Sequence, residues 1–128
     1  MWYWLLGTNL LLAIAMVILG DQFLKSAPKK INRYFGYRTA RSMRNRDTWQ
    51  YAHAVCGLFV RRCESVMLGV SVVAMLCVLK SSQQVVAIVG YVLLGLQLLV
   101  LILAIPHTEK ALRRTFNQLG VRMRMEER

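Results

Sequence analysis

Two long apolar runs are the feature that most constrains what this 128-residue chain can fold into. The first extends from Leu5 to Leu24, and the other, from Val85 to Ile105, is 21 residues long and contains no charged side chain. An α-helix rises 1.5 Å per residue, so about 20 residues cross a hydrocarbon core of about 30 Å. Both runs therefore predict transmembrane helices.

A further apolar run lies between these two, but its charge-free part, Ser65–Leu79, is too short to cross a bilayer alone. It reaches full length only if the helix begins before Arg61. We therefore predict one continuous helix from about position 47 or 48 to Leu79, with its first turns at the membrane interface. Asp47 and Gln50 have the spacing of a capping box for this helix, and Ser42 is an alternative, earlier start.

The fold class predicted from these runs is all-α, an integral membrane bundle of three transmembrane helices. The chain is read as a single domain, 1–128, with spans at about 3–24, 57–79 and 85–105, a basic loop at 25–56 and a basic amphipathic tail at 106–128. Apolar residues make up 56% of the chain, above the roughly 45–50% of soluble proteins. This composition excludes intrinsic disorder, and three such runs leave too little polar chain to cover a soluble bundle.

The distribution of positive charge predicts the orientation. The chain has 17 Lys and Arg against 6 Asp and Glu, a net charge of +11, and most of the basic residues lie in the loop and the tail. Basic segments stay in the cytoplasm, so the N-terminus is predicted outside and the C-terminus inside. Trp2, Tyr3 and Trp4 then fall at the outer interface. The first run has no basic residues before it, which favours a membrane span over a cleaved signal peptide.

Both basic segments are predicted to form short helices that lie in the headgroup plane. In the loop, Pro28 begins such a helix and Gly36 ends it, and its apolar residues are Ile31, Tyr34 and Phe35. In the tail, Pro106 ends the third span and Thr108 caps a helix whose apolar face is Leu112, Phe116 and Leu119. A solvated basic tail is the alternative for the second segment.

Ionisable residues enter the second predicted span. His53 and Glu64 project from one face of that helix, and Gly57 between them leaves room for a cavity. An ionisable group inside a span is costly unless it is paired or hydrated, so Glu64 is a functional candidate. The alternative is an ion pair between Glu64 and Arg61, which lies three residues earlier.

Other residues in the spans predict contacts between helices. Asn9 and Gln97 are the polar residues deep in the first and third spans, and we expect them to bond to each other. Small residues permit close approach of helices, within one chain or between copies, at Gly69, Ala74, Gly90 and Gly95.

The loop arginines Arg38, Arg41 and Arg44 recur at every third residue. Guanidinium groups bind phosphate through two hydrogen bonds, so this row could hold anionic lipid headgroups. Retention of the loop in the cytoplasm explains the same charges without a ligand. Nucleic-acid binding is not predicted, because the basic residues lie within reach of the bilayer.

The sequence favours a protein that is not an enzyme and that needs no cofactor. His53 and His107 are the two histidines, and no metal-ligand spacing such as CxxC or HExxH is present. The three cysteines are odd in number and do not indicate a disulfide framework. No phosphate-binding glycine loop or Ser/His/Asp set is visible.

The stretch from Ile31 to His53 resembles the signature of the SdpI family of bacterial membrane proteins. The matching features are an Asn, a Gly-Tyr-Arg-Thr core and a Trp followed by a small residue and His, at Asn32, Gly36, Tyr37, Arg38, Thr39, Ser42, Trp49, Ala52 and His53. A second, weaker signature falls on Thr108, Glu109 and Leu112. The resemblance covers about residues 25–120, and the chain resembles the minimal three-span unit of the family.

The resemblance implies a multi-pass protein of the bacterial inner membrane that gives immunity to a secreted, membrane-active toxin peptide. The expected partners are that peptide, anionic membrane lipids and further copies of the chain. A binding site is expected at the inner face, formed by Asn32, Tyr37, Arg38, Thr39, Arg41, Trp49, His53, Arg61, Glu64 and Glu109. Two alternatives stay open: a small proton-coupled transporter that uses Glu64, and a lipid-phosphate enzyme that uses His53, Glu64 and the arginine row.

Overall fold

The computed structural model of the protein describes residues 1–25 and 37–123. Within them the chain forms three α-helices and no strand: α1 (Trp2–Lys25), α2 (Arg46–Cys77) and α3 (Gln83–Thr115). The all-α prediction is therefore confirmed for this part of the chain. Both α1 and α3 are long and apolar enough to cross a membrane. The helix predicted between Pro28 and Gly36 lies outside the described residues.

The second helix is continuous past its charged residues, as predicted, but its cap is a different one. Asn45 is the N-cap: its Oδ1 accepts from the Thr48 amide at 2.8 Å, and the Thr48 hydroxyl accepts from the Asn45 amide at 3.1 Å. The predicted capping box at Asp47 and Gln50 is wrong. The reason is that Asn45, two residues earlier, forms its own capping box with Thr48, which places Asp47 in the first turn of the helix, where its carboxylate pairs with Arg122 at 2.8 Å.

The prediction that Pro106 ends the third helix is also wrong, since α3 continues through it to Thr115. Proline removes one backbone donor, and packing at this end of the bundle offsets that loss. Thr108 is not a cap, because its hydroxyl donates back to the Ala104 carbonyl at 2.7 Å inside the helix. After α3, Phe116 and Arg122 form an isolated antiparallel bridge.

The separate amphipathic helix predicted for the basic tail does not form in the described residues. Of its three apolar positions, Leu112 and Phe116 are buried but Leu119 is 82% exposed. Leu112 belongs to α3 itself, and a turn begins at Asn117, whose side-chain oxygen accepts from the amides of Leu119 and Val121. The buried positions are therefore part of the bundle core rather than a separate interfacial face.

Helices α1 and α2 cross with their backbones in contact at Gly20 and Gly57. A Cβ atom on Gly57 would lie 2.6 Å from the Gly20 carbonyl oxygen, so the side chain of any other residue would force the helices apart. Gly57 therefore serves the helix crossing and not the cavity predicted beside it. Of the other small residues, Gly90 packs against Leu5, whereas Gly69 and Gly95 face open space.

The outer surface of the bundle is apolar along most of its length. The second half of α2 exposes large apolar side chains, as α1 and α3 do, at Val66, Val70, Val73 and Leu76. At one end, the Trp2 indole donates to the Met75 carbonyl at 2.7 Å. The other end, which we call the basic end, consists of residues 37–53, the last turns of α3 and residues 116–123.

Candidate functional site

His53 connects three parts of the basic end. The Tyr37 amide can only donate, so the His53 Nε2 that lies 2.9 Å from it is an acceptor. Nδ1 then carries the proton, which it donates to the Trp49 carbonyl at 2.8 Å. The fully buried ring also packs edge-on against Phe23 of α1, with 4.9 Å between centroids. His53 is therefore a neutral side chain with both nitrogens occupied, and it holds the loop and α1 against α2.

Tyr37 extends the same connection to α3. Its hydroxyl lies 2.8 Å from Glu109 Oε1 and 3.2 Å from the Ile105 carbonyl oxygen. Burial and the neighbouring Glu109 carboxylate both raise the pKa of the Tyr37 phenol above its ordinary value. The other oxygen of Glu109 lies 3.7 Å from Arg41 Nε. Three of the predicted site residues, Tyr37, Arg41 and Glu109, thus meet in one cluster.

Thr39 and Ser42 close the loop into a tight turn. The Thr39 amide donates to the Ser42 hydroxyl at 2.8 Å, and the Ser42 amide donates to the Thr39 hydroxyl at 3.2 Å. The Thr48 hydroxyl also contacts the Ser42 carbonyl at 3.0 Å and so ties the turn to α2. The signature residues in this turn satisfy one another's hydrogen-bonding groups.

The predicted row of three loop arginines does not act as one unit. Arg41 lies beside the Glu109 carboxylate, whereas Arg38 and Arg44 are exposed. No ion pair involves Arg38 or Arg44 in the parts of the chain that are described. The remaining predicted site residue of the loop, Asn32, lies outside those parts.

A second set of contacts fastens residues 116–123 to α2, and the sequence analysis missed it. Asn45 donates through Nδ2 to the Gly120 carbonyl at 2.6 Å, and Gly120 has a positive φ of 81° that favours glycine. The Arg122 guanidinium pairs with Asp47 and lies over the Tyr51 ring at 5.6 Å. The sequence signal for this turn was the pair Asn117 and Gly120, which have the residue types of a turn.

Glu64 lies in the core of the bundle, and no described residue bonds to its side chain. The residue is completely buried, and neither carboxylate oxygen accepts a hydrogen bond from any described residue. The predicted ion pair with Arg61 is wrong: Arg61 instead contacts Asp21 of α1 at 3.1 Å. That pair is favoured because both of its side chains are more than one-third exposed, so they keep part of their hydration.

Farther along the core, one polar cluster joins all three helices. Gln97 donates through Nε2 to Asn9 Oδ1, 3.0 Å away, which confirms the bond predicted between these residues. Ser71 of α2 completes the cluster, since its hydroxyl oxygen lies 3.2 Å from the same nitrogen. Gln97 Oε1 has no partner among the described residues. Seven residues separate Ser71 from Glu64, about 10 Å along α2, so the two are distinct features.

The arrangement does not assemble a catalytic set in the described residues. Eleven positions along α2 separate His53 from Glu64, about 16 Å, and the ring nitrogens of His53 are both engaged. No group of three or more His, Cys, Asp or Glu residues in the described ranges could hold a metal ion. The basic end contains instead a loop whose conformation is fixed by hydrogen bonds, and Arg38 is exposed at the surface of that loop.

Comparison with known proteins finds one protein family whose profile matches a large part of the chain. The sequence profile of the SdpI/YfhL protein family matches residues 29–107. The match takes in the loop, all of α2 and most of α3, and so includes Tyr37, Arg41 and His53. No curated protein and no solved structure matches the chain.

Proposed function

Since the chain belongs to the SdpI/YfhL protein family, it is an SdpI-like membrane protein, and we propose that it protects a bacterial cell against a secreted, membrane-active toxin peptide. The family match over residues 29–107 is the observation that carries this proposal. The protection is proposed to be non-enzymatic, because His53, the signature histidine, has no free nitrogen for acid–base chemistry.

We further propose that the protein crosses the inner membrane three times, with its N-terminus outside and its basic end in the cytoplasm. The apolar exposed face of α2 between Val66 and Leu76 supports a third span beside α1 and α3. The concentration of Lys and Arg at the basic end supports the orientation. Labelling of single cysteines introduced at Arg44 and Arg122 should place both positions on the cytoplasmic side, and labelling on opposite sides would contradict this topology.

In the proposed mechanism, the spans contact the apolar toxin peptide within the bilayer, while the signature residues shape the inner face. Tyr37, Thr39, Trp49 and His53 hold the loop in one conformation, and Glu109 anchors it to α3. Arg38 is the signature residue that this network leaves exposed. We therefore assign Arg38 a direct contact with the toxin or with the lipids around it, and the other residues a supporting role.

Survival of a toxin-sensitive bacterium that expresses the chain tests the proposal. We expect protection by the wild type and loss of protection by Arg38→Gln, at equal amounts of protein in the membrane. Arg44→Gln is the matched control, since it removes another exposed charge from the same loop, at a position that is not one of the matching signature residues. Equal killing with and without the wild-type protein, at confirmed membrane expression, would overturn the proposal.

A proton-coupled transporter is a second candidate, and the isolation of Glu64 favours it. A buried carboxyl group with no bonding partner inside a membrane bundle is typical of residues that take up and release a proton. Efflux from vesicles, driven by a proton gradient, should then be abolished by Glu64→Gln. Absence of gradient-driven transport by the wild type, or transport unchanged in Glu64→Gln, would exclude this function.

A further inference from the structure

An open groove lies between α2 and α3 on the outside of the basic end. It consists of two depressions that share His107 as a wall. The outer depression, nearer the end of the bundle, has a volume of about 720 Å³ and is bordered by Tyr51, Lys110 and Arg114. The inner depression, nearer the middle, has a volume of about 220 Å³ and is bordered by Val55, Leu58, Phe59 and Arg62. From Tyr51 to Arg62 the groove follows α2 for about 16 Å.

The outer depression is cationic, and the described part of the chain supplies no counter-charge for it. Lys110 and Arg114 are one helical turn apart and both exposed. The described carboxylates are engaged elsewhere or buried: Asp21 with Lys25 and Arg61, Asp47 with Arg122, Glu109 with Arg41, and Glu64 in the core. Among the described residues, therefore, no carboxylate neutralises the charges of the groove.

The inner depression is lined mostly by apolar side chains, with the exposed Arg62 at the end farther along α2. Val55, Leu58 and Phe59 form the apolar part of its α2 side, and the Phe59 ring stacks on His107 with 4.5 Å between centroids and an interplanar angle of 26°. This stack marks the boundary between the cationic and the apolar parts. The groove thus passes from positive charge at Lys110 and Arg114 to an apolar stretch at Val55, Leu58 and Phe59 before it reaches Arg62. The first two parts have the polarity order of a phospholipid at a bilayer surface.

We propose that this groove holds one molecule of an anionic phospholipid. Its phosphate would lie between Lys110 and Arg114, and one acyl chain would lie against Val55, Leu58 and Phe59. Charge complementarity selects an anionic headgroup, and the adjoining apolar depression selects a lipid over a free anion. The site differs from the predicted row of loop arginines. It requires only a membrane location and does not depend on toxin immunity.

Lipid retention by the full-length protein, purified in detergent, tests the proposal. We expect native mass spectrometry to show one bound phosphatidylglycerol and no bound phosphatidylcholine at equal concentrations. The double variant Lys110→Gln/Arg114→Gln should reduce phosphatidylglycerol retention about tenfold, because each basic side chain contributes measurably to binding of an anionic lipid surface. The matched control is Arg46→Gln/Arg113→Gln, which removes two exposed charges that do not line the groove and should retain the lipid.

A displacement test and a comparison of the two double variants distinguish a lipid site from other forms of anion binding. Glycerol phosphate, which has the headgroup chemistry without acyl chains, should not displace the lipid; displacement would mean a free-anion site and would overturn the proposal. Equal loss of retention in both double variants would mean general charge attraction and would also overturn it. The melting temperature of the lipid-free variants should equal that of the wild type, since the four substituted side chains are exposed and make no ion pair with described residues.

Discussion

Replacement of Glu64 by an apolar residue should stabilise the protein. The residue is fully buried, and both carboxyl oxygens lack a hydrogen-bond donor among the described residues. Substitutions in other proteins indicate that a buried polar group without a partner lowers the free energy of unfolding by about 1–3 kcal/mol. Methionine has a similar length and adapts to irregular space, so repacking should cost less than about 1.5 kcal/mol. We therefore expect Glu64→Met to raise the free energy of unfolding by about 1–2 kcal/mol.

Glu109→Met is the matched control, because it removes a carboxyl group that does have partners. Glu109 accepts from the Tyr37 hydroxyl at 2.8 Å and lies 3.7 Å from Arg41. A hydrogen bond to a charged acceptor contributes about 1.5–3 kcal/mol, so this variant should lose about 2 kcal/mol. The two substitutions are chemically identical, and we expect them to change stability in opposite directions.

Reversible unfolding in mixed micelles, followed by tryptophan fluorescence, measures both changes. Trp49 is fully buried at the basic end, so its emission should report the loss of tertiary structure. Glu64→Gln keeps the shape and a polar end group of the side chain, so it should not show the gain in stability of Glu64→Met. A loss of more than about 1 kcal/mol in Glu64→Met would refute the reasoning, because it would mean that the carboxyl group has a stabilising partner.

Other predictions concern the loop and the helix crossing. His53→Ala should lower the free energy of unfolding by about 3 kcal/mol. It removes two hydrogen bonds of about 1 kcal/mol each and leaves the buried Tyr37 amide without its acceptor. A loss below about 1 kcal/mol in the same unfolding assay would contradict this. Gly57→Ala should be about 1–3 kcal/mol less stable than Gly69→Ala, because its Cβ would lie 2.6 Å from the Gly20 carbonyl oxygen whereas Gly69 faces open space. Equal stability of the two glycine variants would show that α1 and α2 do not cross at this point.

Much of the helical architecture could be predicted from sequence because it depends on local pattern. Runs of about 20 apolar residues specify α1 and α3, and the amphipathic continuation before Ser65 correctly predicted that α2 passes through its charged residues. The bond between Asn9 and Gln97 was also predictable, because two isolated polar side chains in an apolar bundle have few other partners. The signature in the loop indicated the family before any contact was known.

Prediction failed where the outcome depended on contacts between distant segments. Pro106 does not end α3, although proline is the strongest local signal for the end of a helix. Asp47 has the position of a capping residue but pairs with Arg122, 75 residues away in sequence. The contact of Arg41 with Glu109 of α3 was not predicted. Local preferences of this kind amount to at most a few kcal/mol, which the surrounding fold can outweigh.

The sequence by itself determined the helices, their apolar outer faces and membership of the family, because these follow from hydrophobic pattern and from residue types at fixed spacing. The tertiary structure decided the other pairings of polar side chains, beyond that of Asn9 with Gln97. The contact of Gly20 with Gly57 brings Asp21 of α1 to Arg61 of α2, and Glu64, one turn farther on, has no bonding partner among the described residues. The spacing of residues along one helix cannot reveal this, since the choice of partner depends on where a second helix crosses the first.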